Sequence, residues 1–349
     1  MEVLKNKFFG NKNFFRNTNS KINIDICRFI AALMIVAIHI YPFSSFSEDI
    51  DYIITRVIFR IAVPLFLMIT GYYILPKALP NKEVIKTYSN KIIKLYVISI
   101  IIYIPINIYN GYFYEFNIFS FLKDLFINGT FYHLWYFPAL MLGLWITYYL
   151  LKKVNLKIVG IIVIILYIIG IFGDNYFGII NNIDILNTIY KTLFYLFDYT
   201  RNGLFYTPIF LYIGYLIYKK KFTINNKHNL LLISLNLLFL IIEGILLYLY
   251  KIPKHNSMYF FLIPLSFLLF NFIINNIGSS NKELRNISSW LYILHPLFIA
   301  ITHFISKLLQ INLLNNSLVN YIIVLILTLG LIFFMKKFKE VVKNKKLAN

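Results

Sequence analysis

The chain has 349 residues, 59% of them hydrophobic and only 14% charged, with a mean hydropathy of +0.70. A water-soluble domain of this length needs far more charge to cover its surface, so the composition excludes one and points to an integral membrane protein. The net charge of +20 does not indicate nucleic acid, because the cations sit in short clusters between apolar runs and not on one basic face.

Ten apolar segments follow one another, at 26–43, 52–75, 92–109, 131–151, 156–173, 203–218, 229–249, 258–276, 289–306 and 318–335. Each is near the roughly 20 residues that cross a ~30 Å hydrocarbon core. They predict an all-α fold: a polytopic membrane bundle of about ten transmembrane helices over 22–335, between a basic N-terminal segment, 1–21, and a basic tail, 336–349. With the N-terminus placed in the cytoplasm, 25 lysines and arginines fall on the inner side and 6 on the outer side. That excess inside predicts that both termini are cytoplasmic. The stretch 174–202 carries Asp174, Asp184, Asp198 and Arg201, and is expected to include an interfacial helix. The first apolar run ends without a small-residue cleavage site, so it reads as a retained helix and not a signal peptide. A single cysteine, Cys27, provides no disulfide framework. No solenoid-type repeat and no soluble domain is visible.

Function is read from polar groups at membrane depth, where an ionisable side chain costs roughly 2.5–3.5 kcal/mol on insertion scales and so lines a cavity or finds a partner. In "DICRFIAALMIVAIHIYPF", Arg28 and His39 are separated by ten residues. Eleven steps of about 100° return to within about 20° of the same helix face, with a rise of ~16 Å. One face therefore carries a cation near the cytoplasmic end and an imidazole in the outer half. The bland alternative is a snorkelling arginine and a satisfied interfacial histidine. In "RVIFR", Arg56 and Arg60 form an i,i+4 pair on the second segment. Two stacked cations in a membrane call for an anion or a watery cavity. A buried ion pair would need carboxylates, of which Glu243 alone lies at clear membrane depth. "FYHLWYFPAL" places His133, Trp135 and Tyr136 at the outer mouth of the fourth segment, where an aromatic belt is the simplest reading of the last two. "SSWLYILHPLFI" places His295 before Pro296, which frees a backbone carbonyl within the ninth. The six histidines lack metal-ligand spacing, and neither a phosphate-binding glycine pattern nor a GxSxG turn occurs.

These motifs, in this order, resemble the integral-membrane acyltransferase family 3: Arg28 with His39 on the opening helix, Arg56 and Arg60 on the next, then "FYHLWYFPAL" and "LYILHPLF". The resemblance covers about 22–335, and "RNGLFYTPIFLYIGYLI" (201–217) looks most like the membrane part of the vancomycin-resistance serine racemases. It implies a multi-pass protein of the bacterial plasma membrane that transfers an acyl group, usually acetyl, from cytoplasmic acyl-CoA to a hydroxyl of a cell-surface glycan or lipid-linked sugar. On that reading His39 is general base or transient acyl carrier, and Arg56 and Arg60 bind CoA phosphates or the oxyanion. Arg28 then meets the phosphate end of CoA, and His133, Trp135, Arg201 and His295 are candidates for substrate contact. Acetyl-CoA is the implied donor, with no metal and no nucleic acid, in contact with membrane lipid. The soluble domains that many relatives carry are not seen here, which leaves room for a separate extracytoplasmic partner protein. The runner-up is a transporter of serine or a similar small solute through an arginine-lined cavity; it would be expected to show paired repeats with broken helices, and no such pair is visible.

Overall fold

The computed structural model describes residues 23–310 and 316–348; the basic head 1–21 lies outside them. Among the described residues every regular element is a helix. Each of the ten apolar segments carries one: α1 (Ile24–Ile40), α2 (Glu48–Ala78), α3 (Lys82–Tyr109), α4 (Tyr136–Lys153), α5 (Leu156–Phe172), α6 (Thr207–Lys220), α7 (Asn226–Leu249), α8 (Leu262–Asn275), α9 (Lys282–Leu309) and α10 (Ser317–Ala348). The starts are set by side-chain caps. Asn23, Asn81, Asn155, Asn225 and Asn281 each accept a backbone N–H of the first turn, satisfying donors that the helix itself leaves open.

Helices α2, α3, α7, α9 and α10 are long and apolar enough to cross a membrane. The remaining five have 14 to 18 residues. One of these, α6, is the central one: Thr207 to Gly214 and Ile217 are all buried. A helix wrapped by protein has no need to match the hydrocarbon thickness by itself. Its contact with α2 is unusually close, because a Cβ on Gly71 would sit 2.1 Å from the Leu211 carbonyl oxygen and one on Gly214 would sit 2.1 Å from that of Met68. Such paired small residues let helix backbones meet where lipid offers no hydrophobic drive to association. Around this pair, α4 and α5 pack on α6, α7 on α8, and α1 on α9 with α10 outside them. The outer faces of α3, α7 and α10 expose Ile101, Leu231 and Ile326, which suits a hydrocarbon solvent.

Asp25 clamps the starts of α1 and α9. It is 0% exposed, and its carboxylate receives Arg28 at 2.6 Å, Arg285 through Nε at 3.1 Å and Nη2 at 3.0 Å, and the Asn281 N–H at 2.8 Å. A buried carboxylate needs such complete pairing. In the 174–202 stretch, the expected helix is Asp184–Leu196, which buries Tyr190 and exposes Ile185 and Tyr195. Glu243 does not serve the arginines. It accepts the N–H groups of Phe260 and Phe261 and the Tyr176 hydroxyl, and so caps the start of α8.

Candidate active site

Helix α1 ends one residue after His39 is in place. Tyr41 takes a left-handed conformation, φ 58°, and its N–H bonds back to Ala37. The chain then turns away, leaving His39 facing two other elements. Its ring lies 4.9 Å from that of Tyr132 and stacks at 5.4 Å on that of His295 in α9. His133, from the segment leading into α4, meets His295 edge to face at 5.6 Å. Three imidazoles far apart in sequence therefore meet in one cluster. His133 is 1% exposed and His295 0%, and both ring nitrogens of His133 and Nε2 of His295 are buried without a hydrogen-bond partner. Buried polar atoms are nearly always paired, so these exceptions single the cluster out.

The second arginine pair is not carried on a regular α-helix. Within α2, Tyr52–Val57 is π-helical and Ile58–Ile61 is 3₁₀. Such irregular turns re-aim side chains, often at functional positions. Arg56 lies 4.6 Å over the ring of Tyr41, and its carbonyl accepts the Tyr259 hydroxyl at 2.7 Å. Arg60 lies nearer the histidines: its field and that of Arg201 both reach His39. Arg201 stacks 4.4 Å over Trp135 and 5.4 Å over Tyr199, and donates to the Ser257 hydroxyl at 3.1 Å. Trp135 is 8% exposed, so it is a platform for this guanidinium and not a member of the interfacial belt expected from sequence.

Asp174, buried in the turn after α5, was not among the sequence candidates. Its carboxylate accepts the N–H groups of Ser257 at 2.7 Å and Met258 at 3.0 Å, which fixes the loop above the arginines. Burial pushes its carboxyl up to about 7, opposed by those bonds and by Arg201 and Arg60. Yet among the described residues no carboxylate lies within ion-pair distance of Arg56, Arg60 or Arg201. Arg60 Nε, Arg201 Nε, Asn175 Nδ2 and Asp174 Oδ2 all remain buried without a partner. Unmatched guanidinium donors beside imidazoles can stabilise an oxyanion while a proton is taken up next to it.

Two cavities flank the histidines. One, of about 640 Å³, is lined by Arg28, Lys77, Lys91 and Arg285 and reaches inward to Tyr136 and Tyr292. Tyr292 closes its inner end: the hydroxyl donates to the His133 carbonyl and the ring lies 5.5 Å from the His133 imidazole. The other, of about 850 Å³, runs between α3 and α9 from Tyr132 to His303 and Lys307. Of the sequence candidates, His39, His133 and His295 thus form one cluster, with Arg60 and Arg201, the latter on Trp135, close enough to act on His39, and Arg56 on Tyr41, two residues from His39. Arg28 stands apart in the basic cavity. Tyr132 and Tyr292 lie in the same two motifs and were not among the sequence candidates.

Comparison with known proteins agrees with this geometry. A family model described as an acyltransferase domain matches residues 21–337. An amino-acid racemase of Enterococcus faecalis is 41% identical over 307 residues, covering 86% of this chain and 43% of the relative. A serine/alanine racemase of Enterococcus gallinarum is 39% identical over 316 residues, covering 88% and 45% respectively. The chain therefore spans less than half the length of these curated relatives. No solved structure matches. The extent of the family match, with the arginines and histidines gathered in one helical bundle, places the chain in the integral-membrane acyltransferase family 3.

Proposed function

We propose that the protein moves an acyl group, in the simplest case acetyl, from cytoplasmic acyl-CoA to a hydroxyl of a cell-surface glycan or lipid-linked sugar. The observation that carries this reading is the position of the imidazole cluster between two cavities, one of them lined by four cations. Arg28, Lys77, Lys91 and Arg285 suit the phosphates of CoA, because guanidinium and ammonium groups bind phosphate as charge-assisted donors. The ~16 Å rise from Arg28 to His39 is a span for the pantetheine arm. At the far end His39 removes the proton from the acceptor hydroxyl as its oxygen bonds to the acyl carbon. Arg60 and Arg201 stabilise the oxyanion that forms, and the carbon–sulfur bond then breaks to release CoA. The charge distribution supports ten spans with both termini in the cytoplasm, which puts the basic cavity on the side where acyl-CoA is found.

A second reading is favoured by one feature, the buried Asp174 carboxyl near two guanidinium groups it does not pair with. Opposite charges held apart in this way could receive the two ends of a zwitterion, and the relatives named as amino-acid racemases make a transporter of serine or a similar solute the alternative. Purified protein in liposomes separates the two. With labelled acetyl-CoA inside and glycan acceptors outside, label is expected to leave the thioester and appear on acceptor. Accumulation of serine without any loss of the thioester would replace the acyltransferase reading with the transporter.

The basic cavity makes its own prediction. Arg28→Ala should raise KM for acetyl-CoA by roughly 10- to 100-fold, the loss of one or two charged hydrogen bonds, with kcat nearly unchanged. The variant should still fold, because Asp25 keeps Arg285 and the Asn281 N–H as partners, but with a lowered melting temperature from the lost Arg28 bond. A fall in kcat with KM unchanged would place Arg28 outside donor binding.

A further inference from the structure

Helices α3 and α9 meet at Tyr103, whose hydroxyl donates to the Ile293 carbonyl at 2.6 Å, and beyond that contact they enclose the cavity of about 850 Å³. Its inner end touches the imidazole cluster twice. Tyr132 lines it, is 47% exposed and lies 4.9 Å from the His39 ring; Pro296, next in the chain to His295, lines it as well. From there one stripe of α9 runs along the wall, Pro296, Ala300, His303 and Lys307, at the spacing that keeps residues on one helix face. The stripe is apolar beside the cluster and ends on an ammonium group about 16 Å further on, the rise of eleven helical residues. With both termini in the cytoplasm, that far end is the outer one. Asn110 and Gln310 add amides there, and the rings of Tyr109 and Phe304 meet edge to face at 6.1 Å, 68% and 51% exposed. Among the described residues no aspartate or glutamate lines the cavity, and no carboxylate lies within ion-pair distance of Lys307. A lysine at a helix end commonly snorkels to headgroups, but this one faces the same cavity as the residues beside His39.

We propose that this cavity is the acceptor site, and that it selects a saccharide bearing an anionic group, a carboxylate or a phosphate, held by Lys307 while a hydroxyl of the same molecule reaches His39. The proposal rests on the acyl-transfer reading above and names the class of acceptor. The two ends of the cavity divide the work. Phe131 and Tyr132 offer aromatic faces to the sugar near the cluster, and the few polar groups at the outer end fix its orientation. Keeping the anion at the outer end spares it the cost of entering the apolar depth without a partner. The same tether decides which hydroxyl arrives at His39, because only one about 16 Å from the charge spans the distance. Lys307 orients the acceptor and takes no part in the proton transfer.

The test measures transfer from labelled acetyl-CoA to three acceptors: trigalacturonate, its neutral methyl ester, and galactose joined to a prenyl chain through a diphosphate. Wild-type protein should prefer trigalacturonate to its ester, or use the prenyl diphosphate acceptor in a Lys307-dependent way, by roughly 10-fold in kcat/KM, the value of one charged hydrogen bond. Added salt should shrink that preference, since the ammonium group is exposed. Lys307→Ala should abolish it and Lys307→Glu reverse it, with the KM for acetyl-CoA showing that the donor side remains folded. The charged acceptor that depends more on Lys307 identifies the anion as a glycan carboxylate or a lipid-borne diphosphate. Equal use of charged and neutral trisaccharide, with no effect of Lys307→Ala on the prenyl diphosphate acceptor, overturns the proposal and leaves acyl transfer standing. Cleavage of the thioester without transfer to either charged acceptor overturns it too. A thioester that survives with every acceptor overturns the acyl-transfer reading, and this site with it.

Discussion

His39→Ala protein is expected to reach the membrane folded and to have lost transfer by roughly 10²- to 10⁴-fold, the range that a positioned general base supplies. The magnitude follows from where the ring sits. His39 is flanked by Tyr132 on one side and His295 on the other, and Tyr132 also lines the cavity between α3 and α9. Neither neighbour can replace it. Tyr132 offers a phenol, a much weaker base at neutral pH than imidazole. His295 is 0% exposed, more deeply buried than His39, and His133 lies beyond His295. Folding should survive because His39 is only partly buried and contributes no hydrogen bond to the end of α1, which Tyr41 closes through its own N–H. The measurement is label transfer from acetyl-CoA alongside the melting temperature of the same preparation. A variant with wild-type melting and wild-type transfer would remove His39 from the chemistry. If the label instead remains attached to wild-type protein when acceptor is withheld, and not to His39→Ala protein, the ring acts as acyl carrier as well as base.

The elements were legible in sequence because the signal that encodes them is local. A run of apolar residues of near-spanning length is enough to mark a helix, and all ten segments carry one. The histidines and arginines were legible for a related reason: a polar group inside an apolar run stands out wherever it is aimed. What could not be read depends on contacts across the fold. Asp174 looked like one loop acid among several, and its importance appears only when Ser257 and Met258, more than eighty residues away, bring their N–H groups to it. Tyr103 is one of 28 tyrosines, and nothing local reveals that its hydroxyl donates to the Ile293 carbonyl of a helix 190 residues later. Trp135 has the composition of a membrane-interface residue, and only the approach of Arg201 makes it a buried platform. The π and 3₁₀ turns around Arg56 and Arg60 were invisible too, since the same apolar run fits a regular helix equally well.

Arg60→Ala is expected to lower transfer by roughly 10²- to 10³-fold, as loss of one oxyanion donor does in a dry site, while protein remains in the membrane. Arg60 is a costly residue to keep. It lies in an apolar span, its Nε is buried without a partner, and a second guanidinium, Arg201, is close enough to oppose it. Two cations held together without an ion-paired carboxylate lower the stability of the fold around them, so removing one should leave melting unchanged or raise it. That opposition of activity and stability separates a functional charge from a structural one, because a residue retained for packing would lose both together. Arg60→Lys should restore little. The ammonium keeps the charge but not the planar fork that presents two N–H groups to one anion. Arg201→Lys should fall between the two, since it also loses stacking on Trp135 but keeps a donor near the Ser257 hydroxyl. Transfer rates and melting temperatures of the three variants, measured together, decide the matter. Full activity in Arg60→Lys protein would reduce Arg60 to a point charge that draws an anion towards the cluster. Lower melting with unchanged transfer in Arg60→Ala protein would make it a structural residue and leave oxyanion stabilisation to Arg201 alone.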